Sequence, residues 1–144
     1  MAFKRGQLGI EFFLVVAFVL VLGSVLSASV DEQVIAARAL DRAALAKSAV
    51  DAVSHAINLV TLEGNGALAS REVFFPAETQ CIQYSSARKA LYCDVAGAGK
   101  VYGVALYREP TVLLNCFSSG TQGWFLVTVN GTSNGAQVNC TKLG

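Results

Sequence analysis

The sequence predicts an α+β protein in which a long N-terminal α-helix, hydrophobic in its first half, precedes a small antiparallel β-rich, disulfide-linked head domain. Three observations carry that reading. Residues 12–30 are a run of 19 positions without Asp, Glu, Lys, Arg, Asn, Gln, His or Pro. No proline occurs between Gln7 and Leu62, and nine of the 21 residues from 36 to 56 are alanine, the strongest helix former. From residue 67 onward the chain turns to short β-rich runs, and all four cysteines fall there.

Composition sets the class before any single residue does. Hydrophobic residues make up 53% of the 144 and charged residues only 15%, whereas a typical globular chain carries roughly 25% charged. That balance, with the charges excluded from one continuous run, rules out a plain cytosolic enzyme and makes a membrane-embedded segment the first thing to explain. The formal net charge is +1, with no basic block beyond Lys4–Arg5. No nucleic-acid partner is expected, because phosphate binding needs a basic patch.

Residues 1–6 are short and basic and read as a leader. Ser27-Ala28-Ser29 imitates the small-residue cleavage site of a general secretory signal. The chain does not turn into a loop there, however, and continues as a helix former. Residues 7–62 read as one helix, about 84 Å long at 1.5 Å per residue, enough to cross a ~30 Å hydrocarbon layer and extend beyond it. Arg38 with Asp41, and Lys47 with Asp51, stand at supportive spacings. Val34, Leu45, Val53, Ile57 and Val60 give a loosely repeated apolar face, and Gly64-Asn65-Gly66 marks the stop. Gly9 lies in the first turns. Gly23, followed by Ser24, is either a close helix–helix contact or a local weak point.

Residues 63–144 form the expected head domain. Residues 101–107, 112–117, 124–129 and 136–141 read as strands, with 108–110, 118–123 and 130–135 as turns or loops. Alternation groups Val112, Leu114 and Cys116 on one face, Ala136, Val138 and Cys140 on another, and Leu91, Cys93 and Val95 on a third. The four cysteines are spaced by 12, 23 and 24 residues, poor spacing for a compact zinc site. They read as two disulfides made in an oxidising compartment, preferably 81–93 and 116–140, although three pairings exist. Two Asn-x-Thr triplets, at Asn130 and Asn139, are candidate glycan acceptors, one in a turn and one on an outward-facing strand position.

A search for catalytic chemistry is almost empty. His55 is the only histidine and lies in the alanine-rich helix, so the serines of the β region have no base to form a triad. Gly97-Ala98-Gly99 reads as a turn rather than a phosphate loop. No catalytic, cofactor-binding or metal-binding residue is assigned, no cofactor is expected, and an anchored enzyme has no constellation behind it. Glu11, immediately before the apolar run, stands apart. A carboxylate beside hydrocarbon is expensive unless neutralised, and so is a functional candidate. If the chain begins at Gln7 after processing, the new α-amino group lies one helical turn from Glu11 and can neutralise it, within a subunit or between neighbours.

The stretch MAFKRG-QLGIEFFLVVAFVLVLGSVL resembles the class III signal peptide of the type IV pilin superfamily in its archaeal form. Lys4, Arg5 and Gly6 match the basic leader, Gln7 the glutamine that often opens mature archaeal pilins, and Glu11 the glutamate at the fifth mature position. Archaellins are similar near the site but usually lack that glutamate, so Glu11 moves the resemblance towards an adhesion-type pilin. The phenylalanine that opens many mature bacterial pilins is absent. The match covers roughly residues 4–30 and says little about the head. It implies cleavage between Gly6 and Gln7 by a prepilin peptidase, retention of residues 7–62 as transmembrane and filament-core helix, and Glu11 acting in assembly. It also implies a homo-oligomeric helical filament made on a pilus assembly membrane platform, with the precursor in the cell membrane and the product outside the cell. The alternative is a membrane-tethered extracellular binding domain that does not polymerise.

Overall fold

A computed structural model describes the protein at residues 3–112 and 122–144. It is an α+β fold. The helix α1 (Phe3–Glu63) comes first, followed by β1 (Leu68–Phe75), β2 (Thr79–Ser85), β3 (Ala90–Val95), β4 (Gly99–Ala105), β5 (Thr111–Val112), β6 (Gly123–Thr132) and β7 (Gly135–Lys142). Four strands form one sheet in the order β1-β6-β7-β5, and three form another in the order β2-β3-β4. Pairing is antiparallel except for the two-residue contact of β5 with β7, which is parallel.

The helix stops one residue beyond the expected end. Gly64 takes φ +91°, a conformation cheap only for glycine, and its amide donates to the Val60 carbonyl at 3.0 Å. The turn is then tied to β6: Gly66 N–H donates to Gly131 O, and Gly131 N–H to Ala67 O. A Cβ on Gly131 would collide with the Gly64 carbonyl, so glycine is required there by close approach of two backbones.

Packing divides the chain at a different place from secondary structure. The two compact units are Met1–Ala37 and Arg38–Gly144. The sequence reading places its boundary at 62/63 because it follows the helix. Burial follows side chains, and Ala46, Ala49, Val50, Val53, Ala56, Ile57 and Val60 all belong to the core of the second unit. Phe75, Ile82, Leu91, Val95, Phe125, Val127, Val129 and Val138 meet them from both sheets. Glycine at position 103 lets β4 approach the helix closely. At Gly103 a Cβ would lie 2.5 Å from Val50 Cγ1 and 2.7 Å from Ser54 Oγ.

Several expectations shift in detail. Val53, Ile57 and Val60 are buried as expected, but Leu45 remains 41% exposed beside the core face. Lys47 pairs with Asp51 at 2.6 Å, whereas Arg42, not the expected Arg38, makes the other ion pair among the described residues, with Glu78. The strand expected over 101–107 starts and ends earlier, at Gly99 and Ala105, with Leu106 buried and Tyr107 exposed. Of the strand expected over 112–117, Val112 ends β5, and Leu114 and Cys116 lie outside the described residues. The turn expected over 130–135 shrinks to Ser133–Asn134, because Asn130 is held in β6 opposite Gln137 and Leu68. Thr132 Oγ1 closes that hairpin by donating to Gly135 O at 2.7 Å.

Candidate functional site

The first candidate is the N-terminal part of α1. Five successive residues, Phe12, Phe13, Leu14, Val15 and Val16, are all exposed, and so are Phe18 through Leu22. More than a full turn is apolar on every side, so this stretch has no polar face to offer water. One 18-residue window of the helix has a mean hydropathy of 2.6 and none of it is buried. By length and composition α1 is able to cross a membrane.

Glu11 is exposed at the edge of this surface, with Ile10 before it and Phe12 after it. Gly6 and Gln7 lie within α1, and helix geometry puts positions 7 and 11 one above the other on one face. The polar residues inside the apolar run are internally satisfied. Ser24, Ser27 and Ser29 donate to the carbonyls of Val21, Gly23 and Val25 at 2.8, 2.9 and 3.1 Å. The helix passes through Gly23 without interruption, and nothing lies within 4 Å of where its Cβ would be.

The second unit carries the remaining candidates. Cys81 and Cys93 form a disulfide within the core, linking β2 to β3. Cys140 is also disulfide-bonded, and its expected partner Cys116 lies outside the described residues. Asn130 and Asn139 are half-buried strand residues on β6 and β7. Their neighbours Val129 and Val138 are buried, so both asparagines point to the sheet face away from the core. His55 is exposed on α1. Among the described residues no three of His, Cys, Asp and Glu are grouped so as to hold a metal.

Sequence reasoning passes over one cluster. Tyr92 and Tyr102 pair across β3 and β4, with Arg88 and Lys100 lying over their rings. The signal was available in the alternation of Tyr92 with buried Leu91 and Cys93, but only the register brings Tyr102 opposite it. Comparison with family models, with curated proteins and with solved structures finds no match for this chain.

Proposed function

We propose that this chain is a pilin, the structural subunit of an archaeal type IV pilus-like filament, with adhesion as its role. The observation that carries the reading is Glu11. It is the last ionisable group before an apolar helical surface, one turn after the Gly6–Gln7 junction of a basic leader. A simple anchor needs no carboxylate there, whereas a bundle of processed helices gains a partner for the amine that cleavage creates.

In this reading the precursor sits in the membrane with Lys4 and Arg5 on the cytoplasmic side and Asp31 and Glu32 beyond the span, as the positive-inside bias favours. The cysteine-bearing unit then faces the oxidising exterior, where disulfides persist. The prepilin peptidase removes residues 1–6, and the membrane platform stacks the subunits. Apolar side chains leave lipid for other copies, so packing rather than the hydrophobic effect decides the gain. Within that bundle an unpaired Glu11 is costly and a paired one fixes axial register.

Glu11→Gln tests this directly. Processing, membrane insertion and folding of the second unit are expected to remain normal while filaments fall to few or none, as read by cell fractionation and electron microscopy. Abundant ordered filaments from E11Q cells would defeat the role given to Glu11. An intact mass showing a chain that starts near residue 30 would defeat the reading as a whole. A parent chain that stays in the membrane and never forms filaments would favour the tethered binding domain.

A further inference from the structure

The outer face of the β2-β3-β4 sheet has a chemistry that neither anchoring nor helix stacking uses. Alternation along β3 sends Leu91, Cys93 and Val95 into the core and leaves Tyr92 and Asp94 on the opposite face. The register sets Tyr92 opposite Tyr102 and Asp94 opposite Lys100 on β4, with Gln83 and Gln80 beside them on β2. The tyrosine rings are 5.5 Å apart at 38°, and both are half-buried. The Arg88 guanidinium lies 4.2 Å from the centre of Tyr102, and the Lys100 ammonium 4.8 Å from that of Tyr92.

Two cations are thus held over one aromatic pair. The ion pairs among the described residues are Arg42–Glu78 and Lys47–Asp51, so no carboxylate neutralises Arg88 or Lys100 there. Asp94, opposite Lys100 in the register, is the carboxylate on this face, and Lys89 adjoins Arg88 in the exposed turn before β3. Cation–π contact orders the two heads without cancelling their charge or consuming all their donors. Gln80 and Gln83 add amide donors and acceptors, with Gln83 Nε2 donating to Gln80 Oε1 at 3.3 Å.

We propose that this face binds an acidic polysaccharide of the uronate type. Sugar carboxylates pair with Arg88 and Lys100, where a guanidinium favours two-point contact with a carboxylate. The ring faces carry the two cations, so the sugar is held through its hydroxyls, which exchange hydrogen bonds with the Tyr92 and Tyr102 hydroxyls, Gln80, Gln83 and Asp94. A nucleic acid fits less well. Single strands are held largely by stacking bases on open aromatic faces, and here a cation lies over each tyrosine ring. The inference stands whether or not the chain polymerises.

The test uses the full chain in non-ionic detergent micelles, with polygalacturonate, uncharged dextran and oligo-dT as probes. Polygalacturonate is expected to bind, and dextran not. Rising salt and the double variant R88Q/K100Q should each weaken binding by about tenfold or more, as loss of charge-assisted contacts demands. Both substitutions are at surface cations, and an unchanged melting temperature would show that the fold survives them. Lys100→Arg should retain binding. Absence of polygalacturonate binding, equal affinity in the double variant, or tighter binding of oligo-dT would each overturn the assignment.

Discussion

Residues 10–37 of α1 expose Phe12, Phe13, Leu20 and Leu26, while residues 46–60 of the same helix bury Val50, Val53, Ile57 and Val60 completely. The backbone is the same in both stretches and the side-chain logic is opposite. Large apolar residues all round the first stretch leave it without a preferred face, so it needs an apolar environment on every side. The second stretch buries Ala46, Ala49 and Ala56 together with Val50, Val53, Ile57 and Val60 in one core, so one face is committed to the β domain. Helicity alone therefore says nothing about where a segment belongs. The size and distribution of its side chains do.

The sharpest way to break the contrast is to place one charge in each stretch. Val53→Asp buries an unpaired carboxylate in the core, costs several kcal/mol and is expected to prevent folding of the second unit. Leu20→Asp should leave the melting transition of that unit unmoved, yet weaken membrane insertion by about 3 kcal/mol. Circular dichroism in detergent and membrane fractionation read the two effects separately. Equal loss of structure in both variants would mean the stretches are not independent.

A smaller effect is expected from removing the bond that staples the head. Cys81→Ala with Cys93→Ala should cost about 2–4 kcal/mol in chemical denaturation without altering membrane association. A glycine pair sharpens the comparison further. Gly103→Ala pushes a methyl group into Val50 and Ser54 and should cost about 1–3 kcal/mol. Gly23→Ala meets open space and should instead favour the helix by about 1 kcal/mol. Least of all, Asp51→Asn removes an exposed pair with Lys47 and should cost about 0.5 kcal/mol or less.

Much of this was legible in the sequence, for identifiable reasons. The helix is readable because residues 7–62 lack proline and Gly64 ends them, and the short separation of Cys81 and Cys93 points to their pairing. The bounds of β1 and β2 are not legible in the sequence. Arg71 and Glu72 interrupt the apolar pattern of β1, whose sheet partner β6 lies some fifty residues later. In β2 a bulge between Gln80 and Gln83 breaks the alternation, with Ile82 buried at φ +60°. That is a costly conformation for a β-branched residue, and local propensity does not announce it. The candidate site divides in the same way. Glu11 stands out because its neighbours are uniformly apolar, whereas the Tyr92–Tyr102 platform exists only through the register of two strands.

The three serines of the apolar run have a consequence for which neighbours that run can recognise. Each hydroxyl proton is already committed to a carbonyl of its own helix, so none remains to call for a particular acceptor on an adjacent chain. To its surroundings the segment presents chiefly contour, with the acceptor capacity of three hydroxyl oxygens as its remaining polarity. A related subunit with the same bumps and hollows would fit as well as an identical one. In the proposed filament the span would therefore permit copolymerisation, and discrimination between related subunits would rest on Glu11 and on the surfaces of the β domain.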